Sequence, residues 1–181
     1  MGHDQRTIIV CVTGSIAAYR SAEIVRQLKK CGYGVKVVMT QEAEYFIGKT
    51  TLEALSGEKV WTAMFDKEAW QGALGHIELA KADLVLIAPA TANVIGKIAS
   101  GIADDLTTCL VMATTAPVVF APAMNEKMYN NPIVQENCQK LKKHGAYFVG
   151  PATGDLACGV HGTGHIADTE DIVEEVRKIV P

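Results

Sequence analysis

The sequence predicts a three-layer α/β domain built on a doubly wound parallel sheet, and three observations lead there. Continuous apolar, β-branched runs such as Thr7–Val12 (TIIVCV) and Asp83–Ala88 (DLVLIA) are what strands covered on both faces require. Amphipathic helical stretches alternate with those runs. Short loops rich in glycine and small residues follow their carboxyl ends, where open α/β sheets bind ligands.

The elements follow in chain order. After Thr7–Val12 comes Thr13-Gly14-Ser15-Ile16, then a helix to about Lys30 with Ala17, Ser21, Ile24, Val25 and Leu28 on one stripe. Gly32 and Gly34 end it, and Val35–Thr40 is the second strand. Residues 41–75 are read as partly loop, with Thr50–Leu55 helical. Asp83–Ala88 is a strand broken by Pro89, and Val94–Gly101 and Asp104–Thr115 are helices. Val118–Ala121 is the fourth strand. Asn131-Pro132 sets an N-cap before a proline at the first helical position, and that helix ends near His144-Gly145. Ala146–Gly150 is the fifth strand, 151–167 a glycine-rich loop, and a last helix starts at Asp168 or Thr169.

Bulk composition narrows the function classes. The 181 residues form one expected domain, residues 1–181, and the formal charge of −3 without a basic tract argues against a nucleic-acid partner. No apolar run reaches membrane-spanning length; the longest lies near 84–92. Five widely spaced cysteines (Cys11, Cys31, Cys109, Cys138, Cys158) show no C-x-x-C spacing, so they read as reduced cytoplasmic thiols with no metal site. Cys11 and Cys109, within a strand and a helix, are expected as small buried hydrophobes. Cys158 differs, because it lies between glycine-rich segments from which a side chain can reach a site.

Three loops after buried strands carry the chemistry. Gly14-Ser15-Ile16 lacks the G-x-G-x-x-G spacing, and Thr40 rather than an acid ends the second strand. A hydroxyl there suits phosphate better than a ribose diol, which favours a mononucleotide such as FMN over NAD. On residue grounds alone the same loop is also a plain strand-to-helix turn. Ala88-Pro89-Ala90-Thr91-Ala92-Asn93 offers small residues for close approach and hydrogen-bonding groups at Thr91 and Asn93, or simply a capped turn. Pro122-Ala123-Met124-Asn125 is the third. A carboxamide at Asn125, an imidazole at His76 and a thiol at Cys158 together could bind a small carboxylate and exchange protons with its carbon skeleton.

These motifs, in order, resemble the homo-oligomeric flavin-containing cysteine decarboxylases. The matching segments are Gly14-Ser15-Ile16, Pro89–Asn93, Pro122-Ala123-Met124-Asn125-x-x-Met128 and Ala157-Cys158-Gly159. Gly101-Ile102-Ala103-Asp104-Asp105-Leu106 is most similar to the phosphopantothenoylcysteine decarboxylases of that family. The resemblance implies a flavodoxin-like or Rossmann-type fold, bound FMN, and conversion of 4′-phosphopantothenoylcysteine to 4′-phosphopantetheine in coenzyme A biosynthesis. The implied route is oxidation of the thiol to a thioaldehyde, loss of CO2, and re-reduction of the resulting ene-thiolate.

It also implies residue roles. Gly14, Ser15, Ile16, Thr40, Pro89, Thr91, Ala92 and Asn93 would hold FMN, and Met124, Asn125, Met128 and Ala157 the substrate. His76, in His-Ile-Glu-Leu, would orient or polarise the substrate; beside Ile77-x-Leu79, a structural histidine is the other reading. Asn125 would bind the substrate carboxylate, and Cys158 would protonate the ene-thiolate, a thiol with pKa near 8.5 being mostly protonated at neutral pH. The implied assembly is a trimer, or trimers arranged into a dodecamer, with the flavin at a subunit interface. A phosphopantothenate–cysteine ligase, fused or separate, is the implied pathway partner.

Related peptidyl-cysteine decarboxylases lack the cysteine and stop at the ene-thiol, so Cys158 favours the full reaction. A non-catalytic flavin-binding regulatory subunit is the alternative outside enzymes, and the long acidic tail common in such proteins is missing here. The chain departs from bacterial members in one place: Gly162-Thr163-Gly164-His165-Ile166 stands where they read Gly-x-Gly-Arg-Met.

Overall fold

The computed structural model describes residues 5–64, 77, 79–155, 159 and 161–181. Five parallel strands form the sheet: β1 (Thr7–Val12), β2 (Gly34–Met39), β3 (Leu84–Ala90), β4 (Val118–Pro122) and β5 (Tyr147–Phe148). Their spatial order is β2-β1-β3-β4-β5. That order is the flavodoxin-like one, which settles the choice left open between two doubly wound arrangements. The chain reverses its winding between β1 and β3, and a crevice opens there at the strands' carboxyl ends.

Alternation along each strand feeds two separate cores. Ile8, Val10 and Val12 of β1 point with Val35, Val37, Leu84 and Leu86 toward one face. Helices α1 (Arg20–Lys30), α2 (Lys49–Ser56) and α7 (Thr169–Ile179) cover that face. Ile9 and Cys11 point with Val85, Ile87 and Phe120 the opposite way. That face lies under α3 (Ala92–Ala99), α4 (Leu106–Ala113) and α6 (Pro132–Lys143). Phe120 stacks on Phe148 at a centroid distance of 4.9 Å, tying the short edge strand β5 to the core. A strand apolar on both sides has one low-energy place, the middle of such a sandwich.

Helix starts follow the caps in the sequence. The Asn131 side chain accepts from Ile133 N–H at 2.9 Å, with Pro132 opening α6. Asp105 accepts from Thr108 N–H at 2.8 Å, and Thr108 Oγ1 accepts from Asp105 N–H at 3.1 Å, a reciprocal capping box on α4.

Four expectations need correction. β3 does not end at Pro89 but runs to Ala90: the missing proline N–H is absorbed by a register shift between Ile87 and Ala90. The segment 151–167 is not all loop, because Ala152–Asp155 (β6) and His161–His165 (β7) pair antiparallel as a separate hairpin. The fifth strand is confined to Tyr147–Phe148. Cys109 is half-buried, its Sγ 3.2 Å from Ala103 O. Cys11 is fully buried as expected, and desolvation pushes its thiol up to about 12.

Candidate functional site

Thr13 is the first residue past β1, and its buried hydroxyl joins the two loops that meet at the switch point. It donates to Pro89 O at 2.7 Å and accepts from Thr91 N–H at 3.3 Å. Ser21 Oγ adds a bond to Ala88 O at 2.8 Å, so α1 and the end of β3 are pinned together. Thr91 then caps α3 by accepting from Val94 N–H at 3.3 Å. On the other side, Ser15 Oγ accepts from Ala17 N–H at 3.2 Å and starts a 3-10 turn over Ile16–Tyr19 that leads into α1. Both loops therefore present helix N-termini to the same crevice, the arrangement that favours an anion.

Gly14 is required by contact. A Cβ there would lie 2.4 Å from Glu42 Cβ, so only glycine lets the β1 loop close on the turn Gln41–Tyr45 that follows β2.

A cavity of about 280 Å³ lies between these loops. Gly14, Ser15, Thr40, Thr91, Ala92 and Asn93 line it, and Met124 and Met128 close it from the third loop. Ile16, Pro89 and Asn125 are not among its lining residues: Ile16 turns outward, and Pro89 serves through its carbonyl. Asn125 caps the short helix α5 (Glu126–Tyr129), its side-chain oxygen accepting from Lys127 N–H at 2.9 Å. The donor half of that carboxamide is the half whose chemistry suits a carboxylate. His76, Ala157 and Cys158 lie outside the described residues.

The sequence reading missed Thr13, Glu42, Val94, Asp105 and Ala123 as lining residues. A threonine at a strand end before a glycine was the available signal for Thr13. Asp105 carries a D-x-x-T capping pattern, which draws attention to its helix rather than to the cavity. Its charge is offset by Lys97, whose Nζ lies 2.8 Å from Asp104 and 3.4 Å from Asp105. The hydrogen bond to Asp104 holds that ammonium protonated above its ordinary range.

Does the site fit the phosphate-bearing flavin the motifs implied? The Thr40 hydroxyl is buried without a partner among the described residues, and Thr40 is one of the residues lining the cavity. Orphaned buried hydroxyls are rare in folded proteins, and a ligand oxygen would satisfy this one. Ser15 and Thr91, whose hydroxyls accept from backbone N–H groups and keep their own protons, line the same space, a donor set suited to phosphate or polyol oxygens. The residues present fit the group. Among the described residues no group of three acidic, histidine or cysteine side chains could hold a metal ion.

Comparison with known proteins agrees in kind. The pattern of the Flavoprotein family matches residues 2–180. The chain is 44% identical over 176 residues to the Bacillus subtilis "Coenzyme A biosynthesis bifunctional protein CoaBC", covering 97% of this chain and 43% of that protein. It thus spans about two-fifths of the bifunctional relatives it matches. A Streptococcus mutans protein named "Probable phosphopantothenoylcysteine decarboxylase" is 43% identical over 176 residues, covering 96% of this chain and 98% of its own. Among solved structures, a cysteine-to-serine mutant of a PPC decarboxylase complexed with pantothenoylaminoethenethiol superposes with a TM-score of 0.84 at 30% identity, covering 96% of this chain and 97% of that one. The FMN binding protein AtHal3 does so with a TM-score of 0.82 at 32% identity, over 97% of both chains. With Gly14-Ser15, Thr91–Asn93 and Met124 on the loops of one crevice and a match along nearly its whole length, this chain belongs to the Flavoprotein family.

Proposed function

We propose that this protein is an FMN-dependent enzyme that decarboxylates 4′-phosphopantothenoylcysteine to 4′-phosphopantetheine in coenzyme A biosynthesis. One observation carries the reading: a single cavity has the hydroxyl-bearing loops of β1, β2 and β3 on one side and Met124 and Met128 on the other. A cofactor phosphate or polyol would lie in that space, and Asn125, the residue after Met124, would meet the substrate carboxylate beside it. The full-length likeness to the Streptococcus mutans decarboxylase supports the same activity.

Bound flavin would supply the acceptance and return of hydride that this decarboxylation needs. Thr13 holds the two cradle loops at fixed separation, and Thr40 offers its hydroxyl to the cofactor. Asn125 donates to the substrate carboxylate without competing for its proton. Met124 and Met128 give that side of the cavity an apolar surface. For His76 and Cys158 we infer the roles that the motifs imply: substrate orientation for the imidazole, and protonation of the ene-thiolate for the thiol. The solved relative with its cysteine replaced, complexed with an aminoethenethiol, supports that assignment of the thiol.

The assembly we infer is a trimer, or trimers arranged into a dodecamer. The cavity, about 280 Å³, is at the small end of ligand pockets, roughly 300–1,000 Å³. Ile16, Tyr19, Tyr45 and Phe46, close in sequence to its lining residues, are all exposed in the single chain. A second copy packed there would cover them and add a wall. A ligase, fused or separate, would supply the substrate, as the bifunctional relatives suggest. No helix among the described residues is long and apolar enough to cross a membrane, and a cytoplasmic location suits the free thiols.

Anaerobic incubation of the purified flavoprotein with 4′-phosphopantothenoylcysteine, read by product mass, tests the reading. Wild-type protein should yield 4′-phosphopantetheine. Cys158→Ser should release CO2 yet accumulate the ene-thiol, because a serine hydroxyl is a far weaker acid. Full turnover by that variant would remove Cys158 from the mechanism, and inert wild-type protein would remove the substrate. A separate test concerns Thr40. Thr40→Val should raise the flavin Kd about tenfold, the worth of one hydrogen bond near 1.4 kcal/mol. Its melting temperature should stay close to wild type, since the hydroxyl has no partner to lose among the described residues. Unchanged flavin affinity would take Thr40 out of the cofactor site.

A further inference from the structure

The hairpin β6–β7 has its own attachment to the Asn125 loop, and the attachment runs through Glu126. Strand β7 reads His161-Gly162-Thr163-Gly164-His165, so its two glycines fall on one face of the strand. That face meets the start of α5. A Cβ on Gly164 would lie 2.2 Å from Met124 O, and Met124 N–H donates to Gly164 O at 3.0 Å. A Cβ on Gly162 would lie 2.6 Å from the carboxyl carbon of Glu126 and 2.7 Å from each of its oxygens. The Thr163 N–H donates to Glu126 Oε1 at 3.4 Å. The carboxylate is therefore seated on the bare backbone of β7. The residue after the hairpin packs inward as well, with Ile166 only 2% exposed, while His165 Nδ1 donates to Ile166 O at 2.8 Å.

We propose that Glu126 is a positioning residue that latches the β6–β7 hairpin to the Asn125 loop. The proposal rests on the decarboxylase reading above. Cys158 falls in sequence between β6 and β7, and the latch holds the β7 end of that interval. Asn125 and Glu126 are neighbours on one turn, one acting toward the substrate and the other toward the hairpin. The latch thus registers the segment that delivers the proton against the loop that binds the carboxylate. Neither Glu126 nor Gly162 lines the cavity, so flavin should be retained when the latch is cut.

The test uses the full-length holoprotein with Glu126→Ala, Glu126→Gln, Gly162→Ala and the Glu126→Ala/Gly162→Ala double variant. Each is assayed anaerobically for the ratio of ene-thiol to 4′-phosphopantetheine, and for flavin content. Glu126→Ala should keep its flavin and raise the ene-thiol fraction at least tenfold, while Glu126→Gln, which still offers an oxygen to Thr163 N–H, should stay within about threefold of wild type. Gly162→Ala should match Glu126→Ala, because the new methyl displaces the carboxylate. The double variant should be no worse than either single, as two changes to one contact do not add. An ene-thiol fraction unmoved by both single variants overturns the latch, as do effects that add. Hydrogen exchange at the Met124 and Thr163 amides supplies a readout without substrate: faster exchange in Glu126→Ala supports the latch, and unchanged exchange overturns it. Should the wild type prove inert on this substrate, the decarboxylase reading falls and the exchange measurement alone judges the latch.

Discussion

Thr13→Val is expected to strip the protein of its flavin and to lower its melting temperature by about 5 °C. Valine fills the same volume, so the core beneath β1 is not the cause. The loss comes from the hydroxyl, which gives its proton to Pro89 O and takes the Thr91 N–H. Without it a carbonyl and an amide near the cavity each lose that bond, at about 1–3 kcal/mol for a group left unsatisfied. The two cradle loops then lose their direct bridge, leaving only the Ser21–Ala88 bond behind them, and flavin affinity should fall by at least tenfold. Thr13→Ser retains the hydroxyl and should restore most of both properties. Equilibrium dialysis of flavin and a thermal melt check the pair of variants. Wild-type flavin affinity in Thr13→Val would show that the loops hold their separation by other means.

The same residue illustrates what a sequence reveals and what it conceals. The five strands were legible because a parallel sheet covered on both faces demands unbroken β-branched runs, and Thr7–Val12 can satisfy no other environment. Helix starts were legible where a cap is local, as at Asn131-Pro132. What failed was non-local. Thr13 and Pro89 are 76 residues apart, so nothing in either neighbourhood announces their hydrogen bond. β3 was cut short at Pro89 because proline argues against a central strand, whereas here the ladder shifts register around it. The β6–β7 hairpin was read as loop because Gly162 and Gly164 weaken strand propensity; they are there for close approach to Met124 and Glu126, a tertiary demand. The site divides along the same line. Ser15 and Thr91, on loops directly after strands, were named and line the cavity, while Asp105, which reaches the cavity from a distant helix cap, was not named.

Asn125→Asp separates structure from chemistry at one position, and its expected effect on turnover is the largest of all. Aspartate caps a helix as well as asparagine does, so its carboxylate can take the Lys127 N–H and α5 should form unchanged. The variant should fold, bind flavin and melt near the wild-type temperature. Its second oxygen, however, replaces the amide NH2 that we assign to the substrate carboxylate. Two negative charges about 4 Å apart at an effective dielectric of about 20 repel by ~4 kcal/mol, so kcat/KM should fall at least a hundredfold at neutral pH. The sign of the pH dependence follows. A neighbouring carboxylate raises the pKa of the new aspartate, and the protonated acid can donate where the ionised form repels. The activity lost at neutral pH should therefore return in part as the pH is lowered, opposite to a simple loss of fold in acid. Steady-state kinetics across pH, with flavin content measured at each point, decides it. Wild-type kcat/KM in the aspartate variant would take Asn125 off the substrate carboxylate, whereas loss of flavin would show that its capping geometry, rather than its charge, matters at this position.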